Sequence, residues 1–212
     1  EQAKEQRRLM LRSYAVYVRA EEDYPVAAFK RKVDQKDNAI GYQKAAMVFH
    51  MLRREIGDGP FWAGVRNLVA SYTGVHATWN EVEQAFARAA DRDLRGFFAQ
   101  WVRQAGAPTV RATQVVQDDV AGSPGEPGTV RLRVTLTQPS PAFRLSVPVT
   151  LTLADQSRQS ISVRLESTRQ TFELSLPSRA VGLSVDPDME LFRRIPRADL
   201  PPMLNLYVTD PT

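Results

Sequence analysis

The chain changes its hydrophobic rhythm once. Up to about residue 107, large apolar residues recur at steps of three and four, as on one face of a helix. From Thr109 onward they alternate with polar residues at period two, as on one face of a strand. The densest helical stretch runs from Gly41 to Trp62. Ala45, Val48, Leu52 and Ile56, joined by Phe49 and Met51, make a wide apolar stripe. Gly57 stands where a helix stops and Pro60 where the next begins, which predicts a second helix over Pro60–Tyr72 with Phe61, Val65, Leu68 and Val69 facing inward. Thr78 and Glu81 have capping-box spacing ahead of a helix that buries Val82, Phe86 and Ala89. Asp91 is expected to cap the last helix, with Leu94, Phe97, Phe98, Trp101 and Val102 inward and Gly106 and Pro108 closing it. Upstream, residues 1–20 predict a modestly amphipathic helix built on Leu9, Leu11, Tyr14, Val16 and Tyr17, broken at Pro25. Residues 26–39 read as a loop with one short turn, entering the Tyr42 helix near Asp37-Asn38.

In the second half, Val130–Leu136, Leu145–Leu153, Ile161–Leu165, Phe172–Leu176 and Val181–Val185 alternate cleanly, with a weaker strand around Val110–Val116. Six or seven short strands at this spacing predict an antiparallel, Ig-like β-sandwich. Gly122–Gly128 is turn material between strands. Pro148 lacks a ladder donor, so its strand is expected at an edge or bulged there. The fold class is therefore α+β: a helical bundle over 1–107, a β-sandwich over 108–195 and a Pro-rich tail or linker over 196–212.

Composition narrows the chemistry. With 43% apolar and 25% charged residues, the 212-residue chain has the balance of an ordinary globular protein. No run approaches the eighteen apolar residues of a transmembrane helix. Cysteine is absent, which excludes disulfides, thiolate metal sites and cysteine nucleophiles. The net charge of +4 is carried by short, scattered basic groups such as Lys30-Arg31-Lys32 and Arg53-Arg54, without the aromatic-laced basic stripe that nucleic-acid binding needs.

The helical half carries a resemblance. Tyr42-Gln43-Lys44-Ala45-Ala46 is followed by Leu52, Ile56-Gly57 and Phe61. Then come Thr78 with Glu81, Asp93-Leu94, Phe97-Phe98, Gln100-Trp101-Val102 and Gly106-Ala107-Pro108. This order resembles the aminopeptidase N family of zinc metallopeptidases, the gluzincins that include leukotriene hydrolase, over roughly residues 30–110. The resemblance implies that 1–107 is the C-terminal part of a thermolysin-like catalytic domain, with the sandwich directly after it. It also implies zinc in the parent protein and a peptide substrate.

The family's His-Glu-x-x-His and Gly-x-Met-Glu-Asn motifs have no counterpart here; His50 and His76 are the only histidines. The expectation is a fragment whose N-terminal catalytic half is missing, which binds no zinc and is inactive alone. A helix at residues 1–20 would then lack its partner and expose an apolar patch. The alternative is a pseudoenzyme or an interaction module whose sandwich serves as a binding surface.

One catalytic candidate follows from the resemblance, Tyr42. The family's matching tyrosine donates a hydrogen bond to the oxyanion formed during peptide hydrolysis, and a phenol suits that work because it donates without carrying charge. The competing reading is a core tyrosine packed on Ala45, Ala46 and Phe49. Lys44 divides evenly between pairing with a carboxylate of the absent half and simple solvation. His50 reads as a structural histidine and His76 as an exposed one. Asp118-Asp119 and Asp186/Asp188 lack calcium-loop spacing.

Overall fold

A computed structural model describes residues 1–121, 128–196 and 199–200. Most of the predicted 122–128 turn and nearly all of the Pro-rich tail lie outside the described residues. Two compact units form, Glu1–Ala107 together with the chain from Arg194, and Pro108–Arg193.

The helical unit contains α1 (Gln2–Tyr17), two single 3-10 turns (Ala20–Glu22 and Val26–Ala28), and α2 (Gln35–Asn38). A wide π-type turn (Ala39–Lys44) follows, then α3 (Ala45–Ile56), α4 (Asp58–Tyr72), α5 (Trp79–Ala90) and α6 (Arg95–Trp101). α2, the wide turn and α3 run on without a break. The entry cap is Asp34, not Asp37-Asn38: Asp34 accepts from the Asp37 N–H and Asp37 answers on the Asp34 N–H, a reciprocal box. Gly57 ends α3 and begins α4 with no intervening loop. Its φ of 83° is left-handed, which glycine adopts without the strain a Cβ brings. Arg53 grips Asp58 through two bonds of 2.7 and 2.8 Å across this corner.

The core of the unit is aromatic. Phe86 of α5 is fully buried, stacked on Phe61 (5.3 Å between centroids) and tilted against Phe49 (5.9 Å), which itself stacks on Trp79. Gly64 lets α4 approach Phe86, since a Cβ there would lie 2.5 Å from the ring. Met47, Val48, Met51 and Leu52 fill the α3 side, and Leu94, Phe98, Trp101 and Val102 the α6 side. Three inward assignments change: Val69 is 62% exposed, and Val65 and Leu68 are half-buried, because the close α4 contact is made through Phe61 and Gly64. Asp91 does not start α6. It ends α5 in left-handed backbone (φ 48°), while Asp93 accepts from the Arg95 N–H at the start of α6. The Thr78–Glu81 box opens α5 as expected.

α1 is not left bare. Leu11, Tyr14, Ala15 and Val16 are buried within the unit, against the wide turn and α2. Among the described residues of this unit, the exposed large apolar ones are Val33, Tyr42, Trp62, Val69 and Val75 instead.

The second unit holds β1 (Arg111–Val120), β2 (Thr129–Thr137), β3 (Leu145–Leu153), β4 (Arg158–Leu165), β5 (Arg169–Leu176) and β6 (Ala180–Val185). They form two antiparallel three-stranded sheets ordered β1-β2-β5 and β4-β3-β6. Leu132, Leu136, Val147 and Leu151 supply fully buried positions from the two central strands. Pro148 corrects a sequence expectation: β3 is the central strand of its sheet, and its irregularity falls at Thr152/Leu153. The proline is tolerated because it lies just past the β3–β6 ladder, where its carbonyl accepts from the Asp186 N–H at 2.7 Å and only one terminal donor is forgone. Gln117 of β1 bonds both the N–H and the carbonyl of Ala180 in β6 at 2.8 and 2.9 Å, in the way a neighbouring strand would. The Asp186 carboxylate is buried and holds the Glu190 N–H and the Arg193 guanidinium at 2.7 and 3.1 Å.

Two glycines of α4 separate packing from propensity. Gly64→Val should lower stability by about 1–3 kcal/mol through the displaced Phe86 ring. Gly59→Ala, with open space around its Cβ, should be neutral or raise stability by up to about 1 kcal/mol. Denaturant midpoints of the two variants check this; equal losses at both positions would contradict the close α4–α5 contact.

Candidate functional site

Tyr42 sits on the wide turn. A π-type turn carries one more residue than an α-turn would, and this re-aims the side chains it holds. Its hydrophobic side is fixed by Ala39 and Ile40, both fully buried. Gly41 is required on the opposite side: a Cβ there would fall 2.2 Å from the Phe29 ring. Phe29 in turn stands edge-on to Tyr42, with 5.3 Å between ring centroids and planes at 72°. Tyr42 itself is 56% exposed. The reading of Tyr42 as a core residue packed on Ala45, Ala46 and Phe49 therefore fails; its ring contact is Phe29 and its face is open to solvent.

The entry to the turn is braced by carboxylates. Asp37 accepts from the Tyr24 hydroxyl at 2.7 Å and from the Val33 N–H at 2.9 Å. The Tyr24 hydrogen bond, ahead of the Val33 one, holds the Asp37 carboxyl below the usual carboxylate range.

Lys44 closes the turn and is neither solvated nor directed outward. Its side chain is fully buried, and its ammonium donates to the Gly106 carbonyl at 2.8 Å and lies 6.0 Å from the centre of the Tyr14 ring. Around it the Tyr14 hydroxyl donates to Asp23, and Arg194 lies over the Tyr14 ring at 4.7 Å while donating to the Val18 carbonyl at 2.8 Å. Asp23 and Arg194 approach to 4.0 Å, and one Asp23 oxygen is buried with no hydrogen-bond partner among the described residues. Burial pushes the Lys44 ammonium down to about 8; Asp23 opposes that shift and Arg194 adds to it. Sequence reasoning gave Lys44 only two surface-facing options. The signal for a third was the spacing of Lys44 from Gly106-Ala107-Pro108, which fixes no contact until the helices are packed.

Among the described residues no three His, Asp or Glu side chains converge on a point where a metal could be held. His76 is exposed, and His50 is half-buried in α3. The described residues thus offer no side-chain set for a zinc ion. Asp118 and Asp119 are paired with Arg133 and Arg179 at 2.8 and 2.6 Å. Among the described residues no helix is long and apolar enough to cross a membrane.

The lowered Lys44 value carries a pH signature. Above about pH 8 the folded state holds a neutral amine while the unfolded chain stays protonated to about 10.5. The unfolded state then binds more protons, so stability rises with pH across this window. Relative to Lys44→Met, the unmodified chain should gain stability between pH 7 and pH 10. Urea midpoints of both proteins at the two pH values test this, and a gap that does not change with pH would argue against a buried lysine.

Against known proteins, no family model matches the sequence. Aminopeptidase N of Lactococcus lactis subsp. lactis is 33% identical over 82 residues, and that of Caulobacter vibrioides is 34% identical over 92. These alignments take in 39% and 43% of this chain and 10% of each relative. In fold, the chain is similar to the crystal structure of Legionella pneumophila aminopeptidase A in complex with aspartic acid. The TM-score is 0.55 at 16% identity, covering 74% of this chain and 18% of that one. The chain thus spans about a tenth of the length of its curated relatives, and over about two-fifths of its own length it is similar to aminopeptidase N.

Proposed function

We propose that this chain belongs to a zinc aminopeptidase-like metallopeptidase of the gluzincin class, in which Tyr42 donates a hydrogen bond to the oxyanion formed at the scissile carbonyl. The observation that carries the reading is the exposure of a tyrosine on a wide turn where Ala39, Ile40 and Lys44 are buried and Gly41 has no room for a side chain. A tyrosine serving only the core would not be held outward in this way. The phenol supplies a donor where negative charge develops, and the Phe29 edge limits its swing. In this reading residues 1–107 are the helical C-terminal half of the catalytic domain, 108–195 the sandwich and 196–212 a linker. Zinc, which would activate the attacking water in the parent, is held by residues outside those described here. The chain alone is inactive.

One observation favours the alternative of a binding module. Val115 and Val181 are exposed on β1 and β6 and line a cavity of about 140 Å³ together with Gln117, Leu132 and Leu183 among others. Such a module would be indifferent to the Tyr42 hydroxyl.

Tyr42→Phe in the complete protein separates the two. The ring contact with Phe29 survives, so stability should change by less than about 1 kcal/mol. The expected kinetic result is a kcat lower by about 10²–10³-fold with KM nearly constant. An unchanged kcat on aminoacyl substrates would remove Tyr42 from the chemistry. The 212-residue chain by itself is expected to retain no stoichiometric zinc after dialysis, and metal analysis finding one tightly held zinc per chain would overturn the assignment of the metal to other residues.

A further inference from the structure

The wide turn that carries Tyr42 ends in a residue whose burial nothing in the packing demands. A fully buried ammonium costs several kcal/mol of lost solvation, offset only by the oxygens it is given. An apolar side chain of the same length would fill the position without that cost. The lysine is two residues from Tyr42, at the end of the turn that sets the tyrosine's direction, and it reaches 62 residues along the chain to the Gly106 carbonyl. Turns of this kind are rare and occur mostly as single turns inserted in α-helices, frequently at functional sites. Here the entry is held by the Asp34–Asp37 box and the middle by Gly41 against Phe29; the exit is held by Lys44.

We propose that Lys44 is a positioning residue for Tyr42, its buried ammonium tying the exit of the wide turn to the Gly106 carbonyl so that the phenol is held at the reacting carbonyl's oxygen. This rests on the reading of Tyr42 as the oxyanion donor. Lys44 touches no substrate; it acts through the backbone it anchors. The ammonium faces the Tyr14 ring, Asp23 and Arg194, all within this unit.

The test is a double-mutant cycle in the complete protein, with Tyr42→Phe, Lys44→Met and both together. Lys44→Met keeps the stem and removes the donor. At pH 7 its melting temperature should be equal to or above that of the unmodified protein, because the desolvated charge is gone. Its kcat should fall on the order of 10- to 100-fold with KM little changed, the scale of a misplaced catalytic group. The double variant should be no slower than Tyr42→Phe alone, since a lysine acting through the phenol has nothing left to position. Lys44→Arg, which keeps a cationic donor, should recover most of the kcat lost in Lys44→Met.

Additive losses in the double variant would overturn the proposal while leaving Tyr42 in its role. So would a Lys44→Met melt lowered by more than about 10 °C, which marks a residue of the fold. A Lys44→Arg rate as low as that of Lys44→Met at unchanged stability would do the same. If Tyr42→Phe alone leaves kcat intact, the oxyanion reading itself fails, whatever Lys44 does.

Discussion

A buried ammonium must be given an oxygen, and the helical unit gives Lys44 that of Gly106. This one bond joins the end of the wide turn to the segment just past α6, the two ends of a stretch of 62 residues. For the oxygen to be in place, α3, α4, α5 and α6 must already be stacked, and that stacking runs through Phe86. Phe61 and Phe49 lie on its faces and Gly64 takes the place of a side chain that would collide with it. The polar contact thus depends on the aromatic core, and the direction of Tyr42 depends on both.

The wide turn shows how a single exposed side chain is made directional. Hydrophobic burial holds Ala39 and Ile40, a steric limit holds Gly41, and a charge-assisted bond holds Lys44. Tyr42 is the residue of this turn left 56% exposed, with only the Phe29 edge beside it. Three different physical effects act on four residues of this turn. Each is modest by itself, and their coincidence gives the tyrosine an orientation that an unbraced helix would not.

The sandwich is stabilised on another plan. Its two central strands, β2 and β3, bury an alternating face, and their edges are closed by side chains that imitate backbone. Gln117 takes both hydrogen bonds of Ala180, and the Asp186 carboxylate takes the N–H groups of the turn after β6. These replace ladder bonds that the short edge strands would otherwise leave to solvent or to another chain.

By itself the sequence determined what is local. The Thr78–Glu81 box and the Gly57 corner rest on contacts within a few residues, so their spacing in the chain is their spacing in space, and the strands show in the alternation of side chains along each one. The order of motifs around Tyr42 likewise sufficed to indicate an aminopeptidase N-like region. What depends on distant partners was decided by the tertiary structure. Val69 lies outside because α4 meets α5 through Gly64, and Pro148 is central because β6 ends just short of it. Asp91 closes α5 because its backbone turns left-handed there. Lys44 is buried because Gly106 arrives beside it only after four helices have packed. Hydrophobic periodicity reports which face of an element is apolar, but a contact such as Lys44–Gly106 depends on what the packed elements bring to that face.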